Sequence, residues 1–505
     1  MTAAAFHRLL HAEWAKFCSR GRAIAMTAAI LTTIGLGLLP ALGKSSSCGF
    51  DSVAVACPTN PVGPDGQEVS DRFYFAHRSL GANGSITVRM TSLTGIITYP
   101  PPDHDEIVPG LVPWAKAGII VKDGTRQGSS YVALMVTGHN GVRMQYDYSQ
   151  DVAGRPGGVS AESPRWLRLT RSGDTVTGYE SADGARWTKV GAAHLPGLPG
   201  TVQAGLFAAS PGDLTLRRVA LGGSTTEYRF TQATAVFDNV SLDGGVSAEA
   251  WQHGSIGEMG HTDWERYHQP PGLVESNGTL TITGSGDIGP IGAVGSHNVE
   301  DTLAGLAISV MLVIVVAARF VPRRPGPTGA PSLTGRALAA KAAVVGAIAF
   351  LTGLVCAGVA VPVGTRMLRA NGQSVLAVPA LTELRVILGT AALLAVAAVF
   401  ALALAVLLRR TWAAVTVAAS TVVLPYVLAA LPLLPDQAAK WLLRLTPAAG
   451  FAVQQTIHEY PQVIAHYAPS EGYFPLTWWA GLAVLCGYAA GVLALALLRR
   501  RTVAS

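Results

Sequence analysis

Two long runs of apolar residues, 386–408 and 411–434, dominate the hydrophobic pattern of this chain, and only Arg409 and Arg410 separate them. A helix rises about 1.5 Å per residue, so each run is long enough to cross roughly 30 Å of hydrocarbon. Neither run has the polar face that a water-exposed helix of this length would show. The pattern therefore predicts two membrane-spanning helices joined by a tight turn in water.

The same criterion finds further spans and two shorter helices outside the hydrocarbon. Residues 1–22 are typical of an amphipathic helix at a membrane surface, whereas 441–459 are too polar to span and predict an interfacial or re-entrant helix. The first apolar run is too long for a signal-peptide core, so we favour an uncleaved span over a cleaved leader. Pro425 and Pro432 are expected to kink the fifth span. The six predicted spans are 23–43, 301–321, 342–361, 386–408, 411–434 and 477–498.

Residues 44–300 show a different pattern, in which short segments alternate between apolar and polar positions. Gly, Asn, Asp and Pro punctuate these segments, with turns expected at 81–84 and 182–184. Many short strands with turn signals and no helical period indicate an antiparallel β-sandwich. The predicted strands are 72–78, 85–90, 118–122, 131–137, 142–148, 166–170, 175–179 and 202–208.

Within this region, residues 113–146 (PWAKAGIIVKDGTRQGSSYVALMVTGHNGVRMQY), 164–191 and 233–242 resemble the strands of a concanavalin- or laminin-G-like jelly-roll module. The resemblance implies association with carbohydrate without catalysis. In such modules a strand similar to 278–289 comes before the segment similar to 71–93, whereas here it comes near the end. We therefore hypothesise a circularly permuted sandwich whose two ends lie together, which requires residues 279–283 to pair with the other strands.

The predicted fold class is thus a multidomain membrane protein. It combines an α-helical bundle of six transmembrane helices with an all-β jelly-roll sandwich, 44–300, inserted between the first and second spans. Half of the 505 residues are hydrophobic and only 13% are charged, which fits this class. The net charge of +6 comes largely from arginines at span edges, and no basic stripe with interleaved aromatics is present, so nucleic acid is not an expected partner.

Candidate chemistry in the sandwich region is sparse. The five cysteines have no metal-ligand spacing, but Cys48 and Cys57 lie just beyond the first span and could form a disulfide on an oxidising side of the membrane. The acidic cluster at 103–106, with His104 among its residues, could serve glycoside cleavage or calcium binding, yet a solvated loop explains it better. Residues 37–45 resemble a phosphate-binding loop but have five residues between the glycines instead of four. No cofactor, metal or catalytic residue is therefore predicted in this chain.

The positive charges predict the orientation of the spans. With the N-terminus in the cytoplasm, most lysines and arginines near span ends fall on the cytoplasmic side. We expect a multi-pass protein of the cell membrane with both termini cytoplasmic and residues 44–300 outside.

Three short segments around the spans resemble type-2 (export-type) permeases of ATP-binding-cassette transporters. HAEWAK at 11–16 is similar to the interface helix of that family, PSLTGR at 331–336 with Lys341 to the end of its coupling loop at 322–341, and LTPAAGF at 445–451 to its outer re-entrant turn. The resemblance implies a homodimer or heterodimer of permeases driven by a separate ATPase that binds the ATP. The candidate contacts to that ATPase are Glu13, Lys16, Arg336 and Lys341.

Two interpretations remain open for these residues and for the chain. The four candidate contacts are also explained as simple anchors of topology. The family places a Glu and a Gly in its coupling loop, whereas residues 323–329 of this chain read RRPGPTG, which argues against ordinary coupling. The sequence favours a permease whose sandwich holds cell-surface carbohydrate. The alternative is a membrane-anchored carbohydrate-binding or scaffold protein without transport, and a glycan hydrolase ranks behind both.

Overall fold

The computed structural model describes residues 3–43, 60–98, 107–219, 222–245, 250–257, 270–291, 297–321, 335–373 and 375–504. Within these ranges it contains a large, barrel-like β-sheet domain, hereafter the β-domain, and a helical bundle. The helices are α1 (Ala3–Phe17), α2 (Arg20–Leu42), α3 (Leu306–Arg319), α4 (Gly335–Ala370), α5 (Ala380–Leu408), α6 (Thr411–Ala430), α7 (Asp436–Leu445) and α8 (Trp478–Ala504).

Six helices in the described part of the chain are long and apolar enough to cross a membrane, in agreement with the number of predicted spans. They are α2, α3, α4, α5, α6 and α8. A 3-10 turn, Val299–Leu303, leads into α3, and α4 begins at Gly335, inside the segment predicted as a coupling loop. α3, α4 and α5 bury about half or more of their residues, whereas α2, α6 and α8 lie at the periphery.

Small residues let the helices of the bundle approach closely. A Cβ added at Gly37 of α2 would lie 1.8 Å from the Thr302 carbonyl oxygen, and one at Gly353 of α4 would lie 2.7 Å from the Cα of Ala391. The hydroxyls of Thr33 and Ser309 are 2.5 Å apart across the α2–α3 contact. Such contacts replace the hydrophobic effect as the force that holds helices together in lipid.

The fifth predicted span contains a π-helical segment, Ala419–Val423, directly before Pro425. Proline cannot donate to the helix ladder, and a π-helical turn is one way in which a helix accommodates the interruption. Pro432 lies beyond the end of α6 at Ala430, so the expected kink at Pro432 is wrong. It belongs instead to the turn between α6 and α7.

The β-domain contains seventeen strands in the described residues. They are β1 (Val69–Asp71), β2 (Phe73–Thr98), β3 (Ile107–Pro109), β4 (Lys116–Lys122), β5 (Tyr131–Thr137), β6 (Val142–Tyr146), β7 (Gln150–Ala153), β8 (Arg165–Ser172), β9 (Thr175–Ser181), β10 (Thr188–His194), β11 (Val202–Ala209), β12 (Asp213–Arg218), β13 (Ser224–Gly245), β14 (Gln252–Ile256), β15 (Gly272–Ser276), β16 (Thr279–Gly284) and β17 (Ile288–Pro290).

Fifteen of these strands form one antiparallel sheet with the central order β10-β9-β8-β2-β11-β4-β5-β6-β7. Alternate residues point to its two faces, as the period of two in the sequence predicts. One face encloses the main core, which includes Val88, Leu134 and Leu169. The other face carries a smaller apolar layer around Phe75 and Phe207, and this layer is covered by β1 and β17.

The expected turn at 81–84 is wrong, because β2 runs without a break from Phe73 to Thr98. Its first part pairs with β11 and β14, and its second part pairs with β8 and β13. Gly84 faces β13 so closely that an added Cβ would lie 2.4 Å from the Asp243 carbonyl oxygen. The glycines therefore permit close backbone contact within a long, bent strand. The other expected turn, at 182–184, is present, with Gly184 at φ +74°.

Strands β1 and β17 form a separate pair that we call the neck, since the chain enters the β-domain before β1 and leaves it after β17. Two buried lysines of β4 hold the neck to the large sheet. Lys122 Nζ donates to Asp71 Oδ2 at 2.8 Å, and Lys116 Nζ donates to Asp287 Oδ1 at 2.6 Å. Tyr148 adds a 2.8 Å hydrogen bond to Asp71.

The pairing that the circular-permutation hypothesis requires is present. β16, within the segment 279–284, pairs with β13 from Ala233↔Gly284 to Phe237↔Leu280 and also with β15. The two ends of the β-domain also lie side by side, with Val69 opposite Pro290 in the neck. The permutation itself remains a hypothesis.

Residues 431–477, between α6 and α8, lie against the β-domain, and we call this segment the seat. It contains α7 and a buried 3-10 helix, Pro447–Gln454, so the structure differs from the single helix predicted at 441–459. The extended backbone of Thr446 separates the two. Tyr426 of α6 stacks on Phe451 of the seat with ring centroids 4.0 Å apart.

The hairpin of β12 and β13 makes the main contact with the seat. Ser224 donates a hydrogen bond to Asp436 Oδ2 at 3.3 Å, and the same oxygen lies 2.7 Å from His466 Nε2. A Cβ added at Gly223 would lie only 1.6 Å from the Pro432 carbonyl oxygen. A second contact joins Gln462 Nε2 to the Ser149 carbonyl oxygen at 3.1 Å.

Candidate functional site

The turn between α1 and α2 sets the geometry of the candidate site. α1 ends at Phe17, and α2 begins at Arg20 after an extended Ser19. Arg22 donates from Nη1 to the carbonyl oxygen of Lys16 at 2.6 Å. A cation at the last carbonyls of a helix satisfies groups that have no partner inside the helix. This bond therefore fixes the angle at which the amphipathic α1 leaves the bundle.

A buried ion pair then ties α1 to α4. Glu13 is 4% exposed and Lys341 is 5% exposed, and Lys341 Nζ donates to Glu13 Oε2. Lys16, one turn further along α1, donates to Glu13 Oε1 at 2.8 Å. The carboxylate thus has a cation at each oxygen, one from its own helix and one from α4.

These contacts determine the charge state of Glu13. Burial opposes its ionisation, but the hydrogen bonds from Lys16 and Lys341 together outweigh burial and hold the pKa of the Glu13 carboxyl below its ordinary value. Glu13 is therefore ionised at neutral pH, and its attraction to Lys341 persists in physiological conditions.

Aromatic rings complete the contact between the four helices. Phe17 of α1 and Phe320, at the C-terminal end of α3, meet edge to face with centroids 5.3 Å apart. Arg22 of α2 lies 4.9 Å from the Phe320 centroid, and Lys341 Nζ lies 4.2 Å from it. Each cation gains from the negative face of the ring in this partly desolvated position. We call this group the junction; it comprises Glu13, Lys16, Phe17, Arg22, Phe320 and Lys341.

The structure brings three of the four predicted contact residues together. Glu13, Lys16 and Lys341 belong to the junction, whereas Arg336 is exposed near the start of α4 and outside it. Lys16 is exposed, but Glu13 and Lys341 are buried against each other. Sequence reasoning missed Phe17, Arg22 and Phe320. The available signal was a phenylalanine beside basic residues at two span edges.

Several other predicted residues lie outside the described part of the chain. They are Cys48 and Cys57, the acidic cluster at 103–106, and residues 323–329 of the coupling loop. The described cysteines, Cys18, Cys356 and Cys486, are free thiols. No group of three or more His, Cys, Asp or Glu side chains suited to a metal ion occurs among the described residues.

Polar side chains within the long helices mostly serve the helices themselves. The hydroxyls of Thr352, Thr416 and Thr421 donate to carbonyl oxygens four residues earlier in their own helices, and Ser420 donates three residues back. This is the expected behaviour of Ser and Thr in apolar helices. These four residues give no sign of a polar substrate path.

No protein-family model matches this chain, and no curated protein matches it in sequence. A functionally unknown protein from Saccharomyces cerevisiae is 16% identical with a TM-score of 0.20, over 34% of this chain and 74% of that chain. Scytalido-glutamic peptidase with a transition state analog inhibitor is 10% identical with a TM-score of 0.26, over 42% and 98% of the two chains. Similarities at such TM-scores carry no argument about fold or function.

Proposed function

We propose that this chain is the membrane-spanning permease subunit of an ATP-binding-cassette transporter of the type-2 (export-type) class. A separate ATPase subunit binds ATP and drives it, and the permease forms a homodimer or heterodimer. The observation that supports this proposal most is the junction, because it fastens an amphipathic helix to the ends of three long apolar helices. A surface helix fixed in this way can transmit a movement of a docked partner to the bundle.

The junction suits this role for a physical reason. Sliding α1 along α4 would separate Lys341 from Glu13 and leave a buried charge without its counterion, which costs several kcal/mol. α1 and α4 therefore move together. Lys16 and Arg336 are exposed on α1 and α4, and Trp14 of α1 is 43% exposed, so a docked partner would contact these side chains.

In this proposal both termini lie in the cytoplasm and the β-domain lies outside the cell. The β-domain is a jelly-roll sandwich inserted between the first two spans and associated with cell-surface carbohydrate. Support for the insertion comes from the neck, which sets the two ends of the domain side by side, as a loop between two neighbouring helices requires.

The test is co-purification followed by a hydrolysis assay. The full-length chain is isolated from its native membrane in mild detergent, and the ATPase subunit that accompanies it is reconstituted with it in liposomes. We expect ATP hydrolysis to rise several-fold over the ATPase subunit alone. Lys341→Met is expected to abolish most of that stimulation, and Lys440→Met, on α7 at the opposite end of the bundle, is expected to leave it unchanged.

The alternative function is a membrane-anchored carbohydrate-binding or scaffold protein without transport. It is favoured by the fact that Glu13 and Lys341 satisfy each other, since a purely structural joint needs no ATPase. Absence of an ATPase from the purified chain, with no stimulated hydrolysis in liposomes, would select this alternative.

A further inference from the structure

One solvent-facing side of the large sheet combines aromatic rings with cations, and neither the fold nor the junction explains this. This side is formed by alternate residues of β13, β2, β8, β9 and β10. The other face of the same strands packs into the main core through residues such as Val88 and Leu169. We call the solvent-facing side the platform. Its principal side chains are Arg89, Trp166, Arg168, Tyr179 and Lys189 on the strands, and Trp187 directly before β10.

Strand register sets these side chains in two neighbouring rows. Arg89 stands opposite Trp166 in one row, while Arg168 stands opposite Tyr179 and Tyr179 opposite Lys189 in the next. All six side chains are half-buried or exposed. The rows therefore present a continuous surface about four strands wide, or roughly 15–20 Å at the usual spacing between strands.

Local contacts hold the aromatic side chains of the platform in place. The Arg168 guanidinium lies 4.0 Å from the Trp187 ring centroid, and its Nε donates to Thr87 at 2.9 Å. Trp166 packs on the turn at Gly184, where an added Cβ would lie 2.8 Å from the ring. Because these side chains are already ordered, the protein would lose little conformational entropy when a ligand binds.

The charge of the platform is unbalanced. Arg89 is paired with Asp238 through two hydrogen bonds of 2.7 and 2.6 Å. Among the described residues, Arg168 and Lys189 have no carboxylate partner, so two positive charges remain on the face. Cations at the surface beside fixed aromatic rings suit a ligand that carries negative groups and is built of linked sugar rings. The negative groups would pair with the cations, and the apolar faces of the sugar rings would pack on the aromatic rings.

We infer that the platform binds an anionic polysaccharide, with phosphate, sulfate or carboxylate groups at Arg168 and Lys189 and sugar rings against the tryptophans. This inference specifies the carbohydrate of the proposed function and rests on it for biological meaning. Binding itself requires neither the ATPase nor transport, so its measurement is independent of the proposal that the chain is a permease.

The experiment measures binding of the full-length protein, immobilised in detergent, to dextran sulfate, neutral dextran and polyglutamate. We expect dextran sulfate to bind at least tenfold more tightly than either of the others. The variant Arg168→Gln with Lys189→Gln should weaken binding of dextran sulfate at least tenfold. The matched control, Arg217→Gln with Arg218→Gln on β12, loses the same charge elsewhere and should change binding less than twofold.

A further variant separates sugar recognition from simple attraction between charges. Trp187→Ala should weaken binding of dextran sulfate severalfold and leave binding of polyglutamate unchanged. Equal binding of polyglutamate and dextran sulfate, or equal losses in the platform and control variants, would overturn the inference. Retention of the near-ultraviolet circular dichroism of the parent shows that each variant is folded.

Discussion

The bundle and the β-domain place their charges in opposite ways. In the β-domain, Lys122 and Asp71 are completely buried in the middle of the fold, and burial lowers the pKa of Lys122 although Asp71 opposes the shift. In the bundle, the buried pair of Glu13 and Lys341 lies at one end, where four helices start or finish. The β-domain thus uses a buried ion pair to fasten its own strands together, whereas the bundle uses one to fasten α1 to the start of α4.

The largest expected effect tests the charges inside the β-domain. Lys122→Met leaves Asp71 buried without its cation, and losses of this kind amount to about 3–5 kcal/mol. We expect thermal unfolding of the β-domain, followed by near-ultraviolet circular dichroism, to shift to a much lower temperature.

Two further variants serve as controls for this prediction. Lys189→Met, which removes an exposed lysine of the same domain, should shift the transition little. Adding Asp71→Leu to Lys122→Met should recover most of the loss, because no unpaired charge remains. A Lys122→Met protein as stable as the parent would show that the buried pair is dispensable and remove the contrast with the bundle.

The second prediction addresses the contact between the two regions. Gly223→Val places a side chain against the Pro432 carbonyl oxygen, where even a Cβ would lie at 1.6 Å, so the hairpin must move off the seat. Overpacking of this kind costs about 1–3 kcal/mol. We expect faster amide hydrogen exchange in α7 and at the end of α6, with the core strands β4 and β5 unchanged. Thr215→Val, on the same hairpin, is the control. Unaltered exchange in α7 would contradict the docking.

The third prediction concerns the junction and is smaller. Lys341→Met removes one of the two cations at Glu13, but Lys16 still pairs with the carboxylate. We expect a loss of about 1–2 kcal/mol in the free energy of unfolding, the usual cost of a lost hydrogen bond to a charged group. Unfolding of the bundle in a mixed-micelle titration measures it, with Arg366→Met, an exposed arginine of the same helix, as the control. A loss as large as that of Lys122→Met would refute the contrast between the regions.

The smallest effect is a dependence on pH. Glu13 has a folded-state pKa below its ordinary value of 4.5, so its pairing stabilises the protein above pH 4.5 and the gain disappears as the pH falls through the folded-state pKa. The difference in unfolding temperature between the parent and Glu13→Gln should therefore be present at pH 7 and should shrink as the pH falls below 4.5. A difference independent of pH would mean that packing, not charge, accounts for the effect of Glu13.

The extent of successful prediction differs between the two regions for physical reasons. Hydropathy found the six long helices of the described residues, because a span depends on a property summed over some twenty residues. The ends of the helices were predicted less accurately. α4, for example, begins at Gly335, several residues before its apolar part. The pairing of Glu13 with Lys341 depends on how four helices meet, and no local pattern in the sequence determines that.

In the β-domain, strand positions were largely predictable and strand partners were not. Alternation identified 131–137 as a strand with the bounds of β5. The continuous β2 was missed, because Gly81 and Gly84 are typical of a turn unless another glycine-containing strand lies opposite. In the sequence, Lys116 and Lys122 are typical of surface positions on an ordinary strand. They are buried because β1 and β17 cover them in the fold. The platform likewise became visible only when strand register aligned its two rows.

The neck has a consequence for how such a chain can arise and be engineered. Because Val69 and Pro290 are neighbours across one strand pair, everything between them can be removed or exchanged as a cassette and the cut closed by a short linker. A single in-frame event could then add or delete the whole domain without disturbing the six helices. Such a deletion would expose the seat to solvent. Asp436 and Gln462, which now contact the β-domain, would then lie on a surface to which a different domain could bind.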